Sequence, residues 1–231
     1  MKTKQLGLLL LAMLMMASCS RALVRKTETA MVTVRHEVRP FERIRLKGLC
    51  DVRFVQADSV SVRVEGDEML VSKVKISNNG STLDITTPDH QNFSFMKKRM
   101  SPTIYITAPD LIGVELLGMG DFTVTGKLDT DTLNVMLRGM GDITMDQVVC
   151  DKIDVKLIGM GDYEIKSLTA QRSKLLLRGM GDMNINFENS GYADCSLVGM
   201  GDITLNGTLR QLTQNKRGTG DIDTSGLKWV K

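Results

Sequence analysis

Six aspartates are the residues of this chain whose type and spacing could most readily do chemistry. Each closes a copy of one short motif, which is Gly-Met-Gly-Asp five times and Gly-Thr-Gly-Asp once, and successive copies begin 19 to 21 residues apart. Regularly spaced carboxylates can bind a cation, take part in general acid–base catalysis, or accept hydrogen bonds from the backbone. The aspartates are Asp121, Asp142, Asp162, Asp182, Asp202 and Asp221.

We favour backbone capping over the other two roles. Stacked copies would place like charges one repeat apart, where they repel, and a carboxylate that accepts the N–H groups of its own turn resolves this. Calcium takes six to eight oxygen ligands, so one carboxylate per repeat falls short; we expect no metal or cofactor, with Ca²⁺ at the aspartates as the alternative. Acid–base catalysis needs two carboxyl groups in different environments. Six equivalent copies, with His36 and His90 outside the repeats, predict no catalytic residues.

Besides Cys19 near the N-terminus, the chain has three cysteines. They show neither a CxxC pair nor the Cys/His spacing of a zinc site. They are Cys50, Cys150 and Cys195. Cys195 falls at the same repeat position as Val135 and Val155, which favours the role of a small core residue. We expect buried free thiols, with a disulfide between Cys150 and Cys195 as the alternative.

The period of about 20 residues predicts a stacked-repeat solenoid. Apolar residues alternate on both sides of each motif, as in Ile143 and Met145 after one copy and Leu133, Val135 and Leu137 before it. Such columns would stack into apolar ladders that each repeat buries only against its neighbours. The predicted fold is all-β, a right-handed parallel β-helix or solenoid with about 20 residues per rung.

The repeats are expected to differ along the chain. Residues 111–231 are predicted to form regular rungs, and residues 36–110, which carry shorter alternating stretches, an irregular N-terminal part of the same solenoid. Residues 209–217 lose the apolar alternation. They predict a terminal capping rung, with Trp229 closing the open end.

The glycines of the motif predict a corner that needs either a positive φ or a close approach of backbones, because both are cheap only without a Cβ. Strict alternation from Leu137 puts Arg138, Met140 and Asp142 outward and both glycines inward. On that count the methionines form an exposed apolar ridge that could contact a ligand; if the corner changes the parity, they pack inside. The glycines are Gly118, Gly120, Gly139, Gly141, Gly159, Gly161, Gly179, Gly181, Gly199, Gly201, Gly218 and Gly220, and the methionines Met119, Met140, Met160, Met180 and Met200.

The N-terminus predicts secretion and a lipid anchor. Two lysines precede an apolar run too short to cross a bilayer, and the run leads into Met16-Ala17-Ser18-Cys19, which resembles a bacterial lipobox. We predict a lipoprotein signal peptide at residues 1–19, acylation of Cys19, and a polar tether at residues 20–35; a plain signal peptide is the alternative. The expected location is the outer membrane, at its periplasmic or cell-surface face. The mature chain is close to neutral, which gives no electrostatic case for binding nucleic acid.

The chain from residue 38 to residue 231 resembles bacterial secreted proteins with the auto-transporter adhesin head GIN domain. The resemblance rests on residues 41–55, on residues 62–68 (Val-Arg-Val-Glu-Gly-Asp-Glu), and on the repeated Gly-x-Gly-Asp. It implies a parallel β-helix-like fold and a lipoprotein of Bacteroidetes type, and it supplies no catalytic residues. Residues 48–51 look like a worn copy of the motif in which Cys50 replaces the second glycine, so how that copy turns is left open.

These observations predict a non-catalytic, lipid-anchored cell-envelope protein, an adhesin or binding module that presents a repetitive surface to a glycan or protein ligand. Two other functions remain open: a carbohydrate-active, pectinase-like β-helix enzyme, and a purely structural spacer in the envelope.

Overall fold

The computed structural model describes residues 30–87 and 101–231. In these residues the chain forms a parallel β-solenoid of about six turns, with roughly 20 residues between rungs and almost no helix. The predicted all-β solenoid is therefore confirmed. We use the word rung for one turn of this solenoid.

The described residues contain 15 strands and one short helix, which follows β4 and begins after its N-cap residue Asp67. The elements are β1 (Met31–His36), β2 (Arg43–Leu49), β3 (Asp51–Gln56), β4 (Ser61–Asp67), α1 (Glu68–Val71), β5 (Lys75–Asn78), β6 (Thr82–Thr86), β7 (Thr103–Ala108), β8 (Gly113–Met119), β9 (Phe122–Asp129), β10 (Thr132–Met140), β11 (Ile143–Met160), β12 (Tyr163–Met180), β13 (Met183–Gly199), β14 (Ile203–Gly218) and β15 (Ile222–Trp229).

The core consists of ladders of equivalent apolar residues, as the alternation predicts. Parallel pairing places Leu137 beside Leu157, Leu157 beside Leu177, and Leu177 beside Leu197, and all four side chains are buried. Residues two positions apart on a strand share a face. The in-register stack therefore buries the same columns at every rung.

The N-terminal part forms rungs too, but the chain does not visit them in order. β2 and β3 form a rung that pairs with β8 and β9. On the far side of that rung lie β6, beside β2, and β7, beside β3, although both come later in the sequence. Antiparallel strands then end the stack, because β4 pairs with β7 and with β1, and β5 pairs with β6.

At the C-terminal end the core columns become polar. Gln214 and Lys216 take the positions of the buried Cys195 and Leu197 in the preceding rung, and both are exposed. The prediction that Trp229 closes this end is wrong, because 60% of its surface is exposed. Trp229 lies in register with buried Leu209, but β15 is the outermost strand of its face in the described residues, so no rung covers its ring.

Candidate functional site

The Gly-x-Gly-Asp motif forms one corner of each rung, which we call the first corner. The methionines of the motif face the solvent there. The exposed fraction is 43% for Met140, 44% for Met160, 48% for Met180 and 62% for Met200, whereas Met119 is half-buried. The strands that carry Met119, Met140, Met160 and Met180 pair in register at these residues. The methionines therefore face outward, as one of the two sequence interpretations predicts, and we call these five side chains the methionine ridge.

The glycines on either side of each methionine meet both requirements that the sequence suggests. Gly159 and Gly161 have φ values of 142° and 150°, which side chains with a Cβ rarely adopt. A Cβ on Gly159 would lie 2.1 Å from the carbonyl oxygen of Gly139, and one on Gly161 would lie 2.0 Å from that of Gly141. The expectation that the glycines point inward is corrected here, because the missing Cβ would point along the stack at the backbone of the preceding rung.

The aspartate carboxylates accept backbone hydrogen bonds, but from the next rung and not from their own turn, which corrects our expectation. Oδ1 of Asp121 accepts the N–H of Asp142 at 3.0 Å, and Oδ1 of Asp142 accepts the N–H of Asp162 at 2.9 Å. The same bond recurs up to Asp221. The reason lies in the corner backbone, whose N–H and C=O groups point along the stack; the N–H of Ile143, for example, donates to the carbonyl of Asp162 at 2.9 Å.

The worn motif copy at residues 48–51 belongs to the same ladder. Oδ1 of Asp51 accepts the N–H of Asp121 at 3.1 Å, and Gly48 lies in register with Gly118. Cys50 is fully buried, and a Cβ on Gly120 would lie 2.1 Å from its carbonyl oxygen. A cysteine in place of the second glycine therefore leaves the corner and its aspartate bond in place.

The carboxylates of the ladder have nearly the same surroundings. Every member before Asp221 uses one oxygen for the backbone N–H of the next rung and is exposed or half-buried, so nothing separates an acid from a base among the central members. Only the ends differ: Ser101 donates to Asp51 at 3.3 Å, and Lys216 donates to Asp221 at 2.6 Å. Within residues 30–87 and 101–231 no group of three or more His, Cys, Asp or Glu side chains is placed to hold a metal ion.

A groove of about 600 Å³ lies along the second corner of the rungs, between the two halves of the long strands. We call it the corner groove; it crosses five successive rungs, from Asp129 to Arg210. Tyr192 lines it with 48% of its surface exposed. The repeat pattern of the sequence does not predict this site, because its residues change from rung to rung. The signal in the sequence is the short polar stretch between the two apolar columns of each repeat.

The chain matches one protein family over nearly the whole length of the solenoid. The profile of the family described as "Putative auto-transporter adhesin, head GIN domain" matches residues 40–226. The chain belongs to this family. The resemblance in the sequence is thereby confirmed, and the first-corner motif is the feature that these head GIN rungs repeat.

Solved structures share the head GIN fold at low sequence identity. A protein from Bacteroides fragilis, described as a putative adhesin, is 21% identical with a TM-score of 0.68, covering 84% of this chain and 96% of that one. A putative adhesin from Parabacteroides distasonis is 17% identical with a TM-score of 0.62, covering 85% and 97%. A putative lipid binding protein from the same organism is 18% identical with a TM-score of 0.50, covering 87% and 97%. The comparison with curated protein sequences gives no match.

The cysteines of the head GIN domain are core residues with protonated thiols. Cys50, Cys150 and Cys195 are free and buried. Burial, with a smaller contribution from neighbouring carboxylates, raises the pKa of Cys150 and of Cys195 to about 12, and it also raises the pKa of Cys50. A thiol that stays protonated near neutral pH is a poor nucleophile.

The predicted lipid anchor lies outside the described residues, as do the signal peptide at residues 1–19, most of the tether and His90. In the part of the chain that the structure describes, no helix has the length and apolar character needed to cross a membrane.

Proposed function

We propose that the protein is a non-catalytic, lipid-anchored adhesion or binding module of the cell envelope, and that the methionine ridge is its contact surface. The observation that carries this proposal is the exposure of the ridge in register across successive rungs. Membership of an adhesin family supports a binding role at the cell envelope.

The ridge has the properties of a protein contact surface. With rungs about 4.8 Å apart, five methionines span about 19 Å. Unbranched thioether side chains adapt to irregular partners, and continuous exposed apolar surface is unusual unless something binds it. The ridge also has a polar rim, formed by the aspartate ladder on one side and the exposed Arg138 and Arg178 on the other.

The nearly uniform surroundings of the aspartates support a non-catalytic role. Solenoid hydrolases and lyases need a locally distinct acidic pair, whereas here each central carboxylate makes the same bond to the next rung. The aspartate ladder therefore gives the carbohydrate-active enzyme alternative no support.

The anchor is proposed from the sequence before Cys19. Acylation of Cys19 would place the solenoid at the outer membrane behind a tether of about 16 residues. Mass spectrometry of the mature N-terminus tests this. A chain that starts at an acylated Cys19 is expected, and an unmodified Cys19 in the mature protein would contradict the anchor.

The contact surface is tested with a triple variant, Met140→Ser, Met160→Ser and Met180→Ser. Wild type and variant would be screened on arrays of glycans and matrix proteins, on host cells, and on phosphatidylglycerol vesicles, the last because one relative of the same fold is described as lipid binding. We expect the triple serine variant to lose at least about tenfold in affinity, because each exposed thioether contributes apolar area to the contact.

The matched control replaces the same three methionines with leucine, which keeps the apolar area. Circular dichroism and thermal unfolding should be unchanged in both variants, since these side chains lie outside the core. Unchanged binding by the serine variant would show that the ridge is not the contact surface.

A further inference from the structure

The corner groove has the chemistry of a second binding site, distinct from the methionine ridge. We propose that it binds a linear oligosaccharide that lies along the stack of rungs, with one sugar ring against Tyr192. This site goes beyond the proposed function and does not depend on it.

The dimensions of the groove favour a long, narrow ligand. Its lining comes from five rungs, so it extends over about 19 Å at the usual spacing of paired strands. A volume of about 600 Å³ distributed over that length leaves a thin channel and not a deep pocket. A single extended chain fits such a channel better than a compact small molecule.

The groove is lined by one exposed aromatic ring, that of Tyr192. Tyr192 is 48% exposed, on a strand whose neighbour places Arg172 in register with it. A tyrosine ring offers an apolar face and a polar hydroxyl, so it suits ligands that are apolar on one face and wet at the edge. A pyranose ring has this character, with C–H groups on its faces and hydroxyls around its rim.

Planar polar groups line the groove on the rungs before and after that of Tyr192. The amide of Gln171 donates to Oδ1 of Asp151 at 2.7 Å, which fixes the orientation of both side chains. Arg172 and Arg210 are exposed and make no ion pair or side-chain hydrogen bond with the described residues. Carboxylate, amide and guanidinium groups can each address two adjacent atoms, and the neighbouring hydroxyls of a sugar present donors and acceptors at that spacing.

The backbone of the groove argues against an extended peptide as the occupant. The N–H of Thr130 donates to Val149 at 3.0 Å, and the N–H groups of Asp151 and Lys152 both donate to the carbonyl of Asp131, at 3.0 and 3.2 Å. Bonds between rungs thus already use the strand hydrogen-bonding groups at this corner, and an added strand needs unpaired ones. Recognition must come from side chains, which suits a hydroxyl-rich ligand.

The lining is also held in place before any ligand arrives. Asn189 has a φ of 47°, the left-handed conformation that asparagine tolerates, and its N–H donates to the hydroxyl of Thr208 at 2.8 Å. Beside it, the buried hydroxyl of Ser190 donates to the carbonyl of Leu168 at 2.9 Å and accepts from the N–H of Ala170 at 3.0 Å. These bonds fix the turn that leads into Tyr192, so little order has to be gained on binding.

The test is isothermal titration of the mature full-length protein with defined hexasaccharides. The panel contains neutral chains of β-linked glucose and of mannose, and acidic chains of galacturonic acid and of hyaluronan. We expect at least one hexasaccharide to bind with a Kd below about 1 mM, and its disaccharide to bind at least about tenfold more weakly, because it spans only part of the groove. If an acidic chain is the one that binds, replacing Arg172 and Arg210 with glutamine should weaken it more than it weakens a neutral chain.

Variants of exposed aromatic residues locate the site. Tyr192→Ala should weaken binding about tenfold or more, while Tyr192→Phe should stay within about threefold of wild type, because the ring face makes the contact. Trp229→Ala is the matched control, since it removes another exposed aromatic side chain that does not line the groove. It should leave the affinity unchanged, and all three variants should unfold at the wild-type temperature.

Three results would overturn the proposal: no hexasaccharide in the panel binds at about 10 mM, Tyr192→Ala binds as well as wild type, or Trp229→Ala loses as much affinity as Tyr192→Ala. The triple methionine variant keeps the two proposals apart. Loss of oligosaccharide binding in that variant would place the sugar at the ridge and overturn the groove, whereas failure of the ridge experiment alone leaves the groove result standing.

Discussion

The two corners of each rung are built by different means. At the first corner the same residue types recur at every central rung, because each glycine lies against the backbone of the glycine before it and each aspartate bonds to the next. At the second corner equivalent positions carry Asp131, Asp151, Gln171 and Gly191. There backbone groups such as the N–H of Asp151 and the carbonyl of Asp131 bond directly between rungs, and no one side chain is needed at every rung, so the side chains can vary. The uniform corner supports the stack, and the variable corner is free to specialise.

The largest expected loss of stability comes from adding a Cβ at the first corner, where the residue types are uniform. In Gly159→Ala the new methyl group would lie 2.1 Å from the carbonyl oxygen of Gly139, at a φ of 142°. We expect the free energy of unfolding to fall by more than about 3 kcal/mol, because rungs must separate to relieve the clash and the backbone conformation is strained as well. Urea unfolding followed by circular dichroism measures this.

Gly126→Ala is the control that separates the two causes. Gly126 has a φ of 79°, but a Cβ there would meet nothing within 4 Å. Its expected loss is only about 1–2 kcal/mol, from the left-handed conformation alone. If Gly159→Ala were no more damaging than Gly126→Ala, close approach between rungs would not be what fixes glycine at the first corner.

A smaller effect is expected from the aspartate ladder. Asp142→Ala leaves the N–H of Asp162 without its acceptor, and the expected loss is about 1–2 kcal/mol. Asp142→Asn keeps a side-chain oxygen in place and should lose less than half of that. Urea unfolding and amide exchange at Asp162 measure the two variants, and exchange should rise most in the alanine variant. Equal losses for alanine and asparagine would mean that the hydrogen bond is not the source of the stability.

The contrast between the corners also explains what the sequence could predict. Period and alternation determine the solenoid and its core columns, because every rung buries the same positions, as the series from Leu137 to Leu197 shows. The same regularity indicated a capping role for the aspartates. It could not say which rung supplies the N–H group, since a carboxylate on a parallel stack can face its own turn or the next one.

Features without a repeat were the ones that the sequence could not predict. The corner groove is one, because Tyr192 has no equivalent in the neighbouring rungs, where Arg172 and Gln211 stand. The order of the N-terminal rungs is another, since β6 and β7 lie outside β2 and β3 only through pairing that is distant in sequence. Trp229 was misplaced for a similar reason. Its position in the column is a buried one, but whether a rung covers it depends on where the stack ends.

The smallest loss of stability is expected from an ion pair on the face between the two corners. Lys166 donates to Asp146 at 2.9 Å across one rung, and the N–H of Gly126 donates to the other carboxylate oxygen at 2.9 Å. The bond to the Lys166 ammonium, and then the bond from the Gly126 N–H, lower the pKa of Asp146, and the bond to Asp146 raises the pKa of Lys166. Lys166 is exposed and Asp146 half-buried, so water screens the pair and its contribution should be the smallest of the contacts tested.

The pH dependence of that contribution follows from the direction of the shift. Because the pKa of Asp146 is lower in the folded state than in the unfolded state, the pair stabilises the fold above the unfolded pKa, and its contribution is lost as the pH falls through the folded one. Asp146→Asn should therefore be slightly less stable than wild type at pH 7 and equal to it once the carboxyl is protonated. Salt at about 1 M should remove the difference at pH 7, because exposed charges are screened, and should leave the Asp142→Ala loss unchanged. A salt-resistant Asp146 effect as large as that of Asp142→Ala would show that stability between rungs is not concentrated at the uniform corner.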